Sequence, residues 1–224
     1  MRPVVLDFAR DVAENFPTAE PVVEMGSRAA AGQEDIADVR GIFAAGEHIG
    51  CDIQPGTGVD RIEDIHDLTF PDNSVGTVLA FETLEHVADP IRAVEEMYRV
   101  LRPGGVLAMS SLMFFPIHEH PSDYWRFTPQ GFELLLQQFE SRLVLSQGWT
   151  LLPQGVFGIG VKGPFPDLTP ERLPRTQNTA RLWDHGKPVD FGPMRMSLRE
   201  LWGHTLHYTK VAGQRRLARL TGSR

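Results

Sequence analysis

Residues 75–113 read VGTVLAFETLEHVADPIRAVEEMYRVLRPGGVLAMSSLM and carry a strand, a helix and a second strand in succession. The first eight residues, VGTVLAFE, form an apolar run that predicts a buried strand. A helix is predicted next, because Asp89 can cap its first turn and Pro90 suits the first helical position. We expect Gly104 and Gly105 to end this helix before VLAMSSLM, which predicts another buried strand. Two buried strands joined by a helix indicate a parallel sheet.

Weaker patterns on both sides of this stretch continue the alternation. An amphipathic helix is predicted to begin at Pro3 and to end before Pro17, and another to begin at Thr128 and Pro129. A further helix is predicted over residues 33–43. The remaining strands are predicted within residues 22–25, 47–56, 60–65, 140–152 and 155–163. The sequence therefore predicts an α/β fold with a doubly wound, mostly parallel seven-stranded sheet.

Two domains are expected from the distribution of these patterns. Residues 1–163 are predicted to form the α/β domain, with an aromatic and histidine-rich lid over residues 113–127. Residues 164–224 begin with a proline-rich stretch that resembles a linker. A basic amphipathic helix is predicted from about Arg195 onward, with Leu198, Leu201 and Trp202 on one face.

The charge of the chain is distributed unevenly. The formal net charge is −7, but residues 194–224 carry +6 and the remainder −13. Because the body is so acidic, neither a nucleic acid nor a membrane is expected as a partner. The basic tail is expected to fold back on the body or to contact a second subunit as a homodimer. No apolar run is long enough for a membrane span, and residues 1–16 lack the pattern of a signal peptide, so a cytoplasmic location is expected.

Cys51 is the only cysteine of the chain. A single cysteine excludes an intrachain disulfide and a zinc site built from several cysteines. Cys51 lies within a predicted strand, so we expect a small buried thiol rather than a nucleophile.

The ends of the parallel strands are where a cofactor is expected, near the point at which the strand order reverses. Four short segments follow the predicted strands there: residues 24–28, Asp52, residues 64–65 and residues 81–82. A carboxylate at the end of the second strand can accept hydrogen bonds from both hydroxyls of a ribose. Asp52 stands at that position.

Five motifs together resemble the class I S-adenosylmethionine-dependent methyltransferases, in the small-molecule branch typified by LEHV and LRPGG. They are VVEMGS at 22–27, GCDI at 50–53, EDIHDLTFPDNSV at 63–75, LEHVADP at 84–90 and RVLRPGG at 99–105. Each motif is weak alone, and their order and spacing make the resemblance specific over residues 20–160. The resemblance implies a Rossmann-like methyltransferase fold, with S-adenosylmethionine as cofactor and S-adenosylhomocysteine as product.

The resemblance also implies roles for individual residues. Residues of the turn after the first strand would border the methionine end of the cofactor, while the second strand would supply the ribose and adenine contacts. An acid after the third strand would meet the adenine amino group, and the end of the fourth strand would flank the sulfonium. The residues at the methionine end are Glu24, Gly26, Ser27 and Arg28, and those at the ribose and adenine are Asp52 and Ile53. The adenine amino group and ring would meet Asp64 and Ile65, and the sulfonium would meet Phe81 and Glu82.

The turn after the first strand departs from the family pattern. Gly26 is present, but Arg28 and Ala30 stand where further glycines are common. Arg28 therefore either takes a different backbone path or directs its side chain into solvent or toward the cofactor carboxylate. Small residues at Ser27, Ala29 and Ala30 leave room for a turn that still binds the cofactor.

Three histidines are candidates for the base that takes a proton from the methyl acceptor: His118 or His120 first, and then His86. His86 could instead brace the loop that follows the fourth strand. The group His118, Glu119, His120 and Asp123 could bind a divalent metal, assist deprotonation or line a polar lid, and alternate histidines make a weak metal motif. We therefore expect no metal.

The lid also contains candidate substrate contacts. Tyr124 and Trp125, with Phe127, are expected to form a hydrophobic clamp that excludes water, although core packing suits Trp125 nearly as well. Arg126 is a candidate for contact with an anionic or hydroxyl-rich acceptor.

The predicted function is transfer of a methyl group from S-adenosylmethionine to an oxygen or nitrogen of a polar small molecule. We expect an in-line displacement in which positioning supplies most of the catalysis. A sugar, an aminosugar or a natural-product scaffold is the expected acceptor. The alternative is a non-catalytic binding or regulatory subunit with the same fold, suggested by the altered glycine turn. An NAD-dependent oxidoreductase is disfavoured by the missing glycines.

Overall fold

The computed structural model describes residues 1–29, 38–43, 46–118, 122–149, 152–181, 189–191 and 194–196. Four α-helices are described in this part of the chain: α1 (Pro3–Asn15), α2 (Pro90–Val100), α3 (Pro129–Leu135) and α4 (Pro174–Arg181). The described strands are β1 (Val22–Met25), β2 (His48–Asp52), β3 (Arg61–Ile62), β4 (Val75–Phe81), β5 (Leu101–Leu112), β6 (Ser141–Trp149), β7 (Leu152–Val161), β8 (Val189–Phe191) and β9 (Met194–Met196). Short 3-10 turns cover Leu84–His86 and Pro170–Arg172.

Seven strands form one sheet in the order β3-β2-β1-β4-β5-β7-β6. The neighbours from β3 to β5 are parallel, whereas β7 runs antiparallel to both β5 and β6. The predicted seven-stranded, mostly parallel sheet is therefore confirmed. The strands β8 and β9 form a separate antiparallel pair.

The strand order reverses between β1 and β4. Residue Val22 of β1 lies opposite His48 of β2 on one side and opposite Thr77 of β4 on the other. The chain therefore proceeds from β1 outward through β2 and β3, and then returns to pair β4 with the opposite side of β1. Reversals of this kind leave a crevice at the carboxyl ends of the strands, where ligands bind.

Helices cover both faces of the sheet. On one face α1 packs against β4 and β7, where the ring centroid of Phe8 lies 5.9 Å from that of Phe81 and 5.0 Å from that of Phe157. On the other face Met97 of α2 and Phe132 of α3 are fully buried in a second apolar cluster. Among the described residues, no helix has the length and apolar character needed to cross a membrane.

The caps of α2 and α3 follow the prediction, but the end of α2 does not. The Asp89 carboxylate accepts the amide hydrogen of Arg92, as predicted for a helix cap. The helix already ends at Val100, and β5 begins at the next residue, where Leu101 pairs with Val75. Gly104 and Gly105 lie within β5 at a register shift, between the pairing of Leu101 with Val75 and that of Val106 with Thr77. The amide of Gly104 donates to the carbonyl oxygen of Lys162 at 2.7 Å, and the amide of Lys162 donates to that of Gly105 at 2.9 Å, so both glycines are held in the strand by the neighbouring chain segment.

The segment from residue 164 contains regular structure instead of a linker. Asp11 of α1 is fully buried, and its carboxylate accepts hydrogen bonds from the Thr176 amide at 2.8 Å and from the Thr176 hydroxyl at 2.7 Å. Arg175 of α4 pairs with the carboxylate of Glu14, which like Asp11 belongs to α1, at 2.6 Å. The buried acid of α1 therefore holds α4 in place, a contact between residues far apart in the chain.

Two predicted helices lie partly outside the described residues. For the helix over 33–43, residues 33–37 are not described, and no helix is present over residues 38–43, where residues 40–42 form a turn. For the C-terminal helix expected from Arg195, residues 197–224 are not described, and Met194–Met196 form strand β9 in the described part. The chain divides into two compact units, Met1–Leu182 and Trp183–Arg224.

Candidate active site

A cavity of about 600 Å³ lies at the carboxyl ends of β1, β2 and β4. Its wall contains every residue predicted to bind the cofactor and two of the three candidate bases. They are Glu24, Gly26, Ser27, Arg28, Asp52, Ile53, Asp64, Ile65, Phe81 and Glu82, with His86 and His118. His120 lies outside the described residues. The fold thus brings together side chains that are separated by up to 94 positions in the chain.

The turn after β1 is tightly closed. Gly26 has a φ of +73°, and the amides of Gly26 and Ser27 both donate to the carbonyl oxygen of Cys51, at 2.8 and 3.1 Å. A Cβ atom at Gly26 would lie 2.7 Å from Cγ2 of Thr83. Glycine is therefore required at this first position of the turn, both for its backbone conformation and for space.

The glycine that accommodates the rest of the turn lies on the loop after β2. Gly58 has a φ of +91°, and a Cβ atom there would lie 2.5 Å from the carbonyl oxygen of Ser27. The amide of Ala29 donates to the carbonyl oxygen of Thr57 at 2.9 Å. The close approach of the two loops is thus provided by Gly58 rather than by glycines within the turn. This geometry explains how a turn with Arg28 in it can still close.

Arg28 extends along the cavity wall. Its Cγ and Nε atoms lie 2.8 and 2.9 Å from the position that a Cβ atom would take at Gly56. The residue is exposed, and among the described residues its guanidinium forms no ion pair. The hydroxyl of Ser27 beside it is buried without a hydrogen-bond partner in the described structure. Both groups are donors that a ligand carboxylate could engage.

Asp52 is the last residue of β2, and Ile53 follows it. An oxygen of the Asp52 carboxylate accepts the amide hydrogen of Gln54 at 2.9 Å, which fixes the side chain at the cavity edge. Ile53 is 59% exposed, an unusual state for a large aliphatic side chain, and its exposed surface belongs to the cavity wall. A fixed carboxylate next to an apolar surface suits a ribose with its attached base.

Asp64 is held by His66, a residue that the sequence reasoning did not select. The His66 amide donates to the Asp64 carboxylate at 2.9 Å, and Nδ1 of the ring lies 2.7 Å from the same oxygen. Nε2 of His66 accepts the amide hydrogen of Asp89 at 3.2 Å, so Nδ1 carries the ring proton. These hydrogen bonds, above all the one from the His66 amide, keep the pKa of Asp64 below its ordinary value.

Glu82 occupies a strained position at the end of β4. Its φ is 51°, in the left-handed region, and its amide donates to the carbonyl oxygen of Ser110 at 2.9 Å. Nε of Arg2 contacts the Glu82 carboxylate at 2.5 Å. Strain of this kind costs about 1–3 kcal/mol and is common at ligand sites. The ion pair and the neighbouring Phe81, which is 6% exposed, together shape the cavity floor.

Glu85 is a buried carboxyl group in the same wall. It is fully buried, and its Oε2 atom accepts the Ser111 hydroxyl at 2.7 Å. Its Oε1 atom is buried and has no hydrogen-bond partner among the described residues. Burial raises the pKa of Glu85 to about 7, and the negative charge of Glu82 acts in the same direction. Sequence reasoning missed this residue, although an acid within the apolar segment that follows a buried strand is a usable signal.

His86 and His118 meet beside Glu85. Their rings stand edge to face with centroids 4.9 Å apart. Nδ1 of His86 lies 2.6 Å from the carbonyl oxygen of Ser122, and Nδ1 of His118 lies 3.1 Å from the Asp123 carboxylate. Each ring is thus oriented through its Nδ1 atom. The structure brings together two of the three candidate bases at the cavity wall.

The predicted substrate residues do not line this cavity. Tyr124 is 55% exposed, and its amide donates to the carbonyl oxygen of Glu85 at 2.8 Å. Trp125 is 43% exposed, and its indole nitrogen donates to the carbonyl oxygen of Val87 at 2.9 Å. These bonds tie the segment to the loop after β4. The role of the two rings as a clamp on the acceptor stays a prediction.

Arg126 is already engaged by another residue of the same segment. Its guanidinium binds both oxygens of the Asp123 carboxylate, at 2.5 and 2.6 Å. The guanidinium keeps the pKa of Asp123 well below its usual range. Arg126 therefore stabilises the segment that carries His118, and it does not line the cavity as predicted for a substrate contact.

Arg2 is another cavity residue that the sequence did not reveal. Besides contacting Glu82, its guanidinium donates from Nη1 to the side-chain carbonyl of Gln147 at 2.6 Å. Its Nη2 atom is buried without a partner among the described residues. The residue precedes α1 and reaches the cavity only because that helix packs across the sheet. No local pattern at the start of the chain signals this contact.

These residues fit S-adenosylmethionine as a ligand. The cavity volume lies within the range of small-molecule sites. The wall offers a fixed carboxylate at Asp52, an exposed apolar surface at Ile53 and unpaired donors at Ser27 and Arg28. Diol, aromatic base and carboxylate are the three chemical features of the cofactor that such groups recognise.

A model of the methyltransferase domain family matches residues 37–109. This segment of the chain is similar to a methyltransferase domain. A domain of this kind takes its methyl group from S-adenosylmethionine and releases S-adenosylhomocysteine. The fold of this chain is similar to that of a SAM-dependent methyltransferase from Archaeoglobus fulgidus, with a TM-score of 0.56 and 14% identity over 72% of this chain and 95% of that chain.

Segments of this chain are also similar to two curated proteins. A probable S-adenosylmethionine-dependent methyltransferase of Mycolicibacterium smegmatis is 35% identical over 113 residues, which cover 45% of this chain and 42% of the relative. The 27-O-demethylrifamycin SV methyltransferase of Amycolatopsis mediterranei is 40% identical over 53 residues, which cover 24% of this chain and 20% of the relative. The matched segment of this chain thus spans less than half the length of either relative.

Proposed function

We propose that the protein transfers a methyl group from S-adenosylmethionine to an oxygen or nitrogen of a polar small molecule. A sugar, an aminosugar or a natural-product scaffold is the proposed acceptor class. The observation that carries the proposal is the position of Asp52, Asp64 and Glu82 around one cavity, each at or just beyond the end of a parallel strand. This arrangement matches the chemistry of a ribose, an adenine amino group and a sulfonium.

Each part of the cofactor is assigned to residues of the cavity wall. Asp52 accepts the ribose hydroxyls, and Ile53 covers one side of the adenine ring. Asp64 accepts from the adenine amino group, while its bonds from His66 keep it ionised. Arg28 and Ser27 lie near the methionine end. S-adenosylmethionine supplies an activated methyl group on a positively charged sulfur, which favours the carboxylate of Glu82 as a neighbour.

The base in this proposal is His118 or His86, with His120 outside the described residues. The contact between Nδ1 of His118 and Asp123 leaves Nε2 to accept the proton that the nucleophile loses. Acidic side chains outnumber arginines in the cavity wall, with six acids against two arginines: Glu24, Asp52, Glu63, Asp64, Glu82 and Glu85 against Arg2 and Arg28. Such a lining favours a polar or cationic acceptor over a polyanion. The rifamycin-methylating relative supports a natural-product scaffold as one such acceptor.

Calorimetric titration with S-adenosylmethionine tests the cofactor site. We expect micromolar binding, and at least about tenfold weaker binding by Asp52→Ala, because a charged group that accepts two hydrogen bonds is removed. Asp67→Ala is the matched control, since this exposed acid lies outside the cavity wall. Failure of the unaltered protein to bind the cofactor would favour the non-catalytic subunit. Release of S-adenosylhomocysteine in the presence of sugars, aminosugars and polyketide-derived alcohols then identifies the acceptor class.

A further inference from the structure

Three potential metal ligands meet at the wall of the cavity. Glu85, His86 and His118 each offer one ligand atom, and these atoms all lie within 4.8 Å of one another. Two imidazoles and one carboxylate form a ligand set that zinc and other divalent first-row metals accept. The ligands come from the turn after β4 and from the segment after β5. Glu85 and His86 are adjacent in the chain, and the fold brings His118 beside them.

The surroundings of the two histidines resemble those of metal ligands. Metal-binding imidazoles usually donate their other ring nitrogen to a carbonyl or carboxylate oxygen, which orients the ring. Here Nδ1 of His86 contacts the Ser122 carbonyl at 2.6 Å, and Nδ1 of His118 contacts the Asp123 carboxylate at 3.1 Å. Asp123 is itself fixed by Arg126. Both rings are therefore held in place before any ion binds.

Glu85 provides an independent observation that points to a cationic ligand. The side chain is fully buried, yet only one carboxylate oxygen has a partner, the hydroxyl of Ser111. The other oxygen is buried and unpaired among the described residues. An unpaired buried carboxylate oxygen is costly, and a bound cation would satisfy it. Asp123, by contrast, has both oxygens occupied by Arg126.

We propose that Glu85, His86 and His118 form a binding site for one divalent metal ion, such as Zn²⁺ or Mn²⁺. Three protein ligands leave at least one coordination position open toward the cavity, as in catalytic metal sites. An oxygen of the acceptor or a water molecule can occupy it. This site uses the predicted histidine His118, but it replaces Glu119, His120 and Asp123 by Glu85 and His86 as the other ligands.

The ion would change the roles of the two histidines. When they coordinate a metal, their ligand nitrogens are not available as bases, and the ion instead lowers the pKa of a bound hydroxyl group. The existence of the metal site does not depend on the proposed methyl transfer. It is therefore tested by metal binding to the protein without cofactor or acceptor.

The experiment uses the full chain after treatment with a chelator and desalting. Calorimetric titration with Zn²⁺ and separately with Mn²⁺ is expected to show one ion bound per chain. Glu85→Gln and His118→Ala are expected to weaken binding of the better ion by at least about tenfold. Glu85→Gln keeps the size of the side chain and an acceptor for Ser111, so it guards against loss of folding, which circular dichroism checks. His66→Ala is the control, because this histidine lines the cavity outside the cluster.

Two results would overturn the proposal. One is that the unaltered protein binds neither ion at millimolar concentration. The other is that Glu85→Gln and His118→Ala bind the ion as tightly as the unaltered protein, which would place the ion elsewhere. Asp52→Ala is expected to retain metal binding while losing S-adenosylmethionine, so that failure of the metal site and failure of the cofactor site are distinguished on the same samples.

Discussion

Two arginines line the cavity, Arg2 and Arg28, and they differ in what they already bind. Arg2 is engaged by Glu82 at 2.5 Å and by Gln147 at 2.6 Å. Arg28 is exposed and forms no ion pair within the described part of the chain. A ligand carboxylate can recruit Arg28 without breaking an existing ion pair. We therefore assign the carboxylate contact of the proposed cofactor to Arg28.

Replacement of Arg28 by alanine tests this assignment. The affinity for S-adenosylmethionine is expected to fall about 2–10-fold, the range of a partly exposed charged hydrogen bond. The affinity for 5′-methylthioadenosine, which lacks the carboxylate, is expected to stay unchanged. Both affinities are measured by calorimetry on the same protein preparation. If Arg28→Ala binds both ligands normally and Arg2→Gln loses only S-adenosylmethionine, then Arg2 is the carboxylate contact and our assignment is wrong.

At the scale of elements, the loop after β1 and the loop after β2 depend on each other. The turn after β1 carries Arg28 because Gly58, on the loop after β2, makes the room that glycines within the turn would otherwise provide. Hydrogen bonds from Ala29 to Thr57 and from Gly26 to Cys51 then join the two loops. Together the loops form one side of the cavity.

Gly58→Ala is expected to destabilise the fold more than Gly104→Ala. Both glycines have a positive φ, +91° and +80°, so either substitution costs about 1 kcal/mol in backbone conformation. A Cβ atom at Gly58 would also lie 2.5 Å from the Ser27 carbonyl, whereas nothing lies within 4 Å of one at Gly104. We expect a total of about 2–4 kcal/mol for Gly58→Ala. Urea unfolding measures both values, and equal values would show that the two loops do not touch in this way.

Across the whole molecule, the first compact unit extends to Leu182, beyond the boundary at residue 163 that the sequence predicts. The reason is Asp11, which is buried and bound by the amide and hydroxyl of Thr176. Without α4 these hydrogen bonds disappear, and the outer face of α1 loses its cover. All the residues that line the cavity lie within the first unit.

Two shortened chains test this boundary. A chain that ends at residue 182 is expected to unfold in one transition and to bind S-adenosylmethionine within about twofold of the full chain. A chain that ends at residue 163 is expected to have a Tm lower by about 5–10 °C, since the hydrogen bonds to Asp11 and the packing of α4 are lost. Differential scanning calorimetry measures the transitions. Equal Tm values for the two chains would contradict the proposed role of α4.

Much of the sheet could be predicted because its signals are local. Val22–Met25 is apolar except for Glu24, and Val75–Phe81 is apolar except for Thr77. Asp89 and Thr128 cap their helices through residues three positions away. The end of α2 could not be predicted in the same way. The tendency of Gly104 to break structure is local, but the pairing of Leu101 with Val75 depends on another strand.

The sequence by itself determined the strands of the seven-stranded sheet, the helices that begin at Pro3, Pro90 and Pro129, and the acids at or just beyond the ends of β2, β3 and β4. Periodicity and strand ends are properties of short segments, and local patterns therefore reveal them. Only the tertiary structure decided which residues share the cavity. Arg2, Gly58 and Glu85 gain their roles from contacts across the sheet. The amide of Tyr124 and the indole of Trp125 donate to carbonyl groups of the loop after β4. Such contacts join residues that are distant in the chain, and no local pattern encodes them.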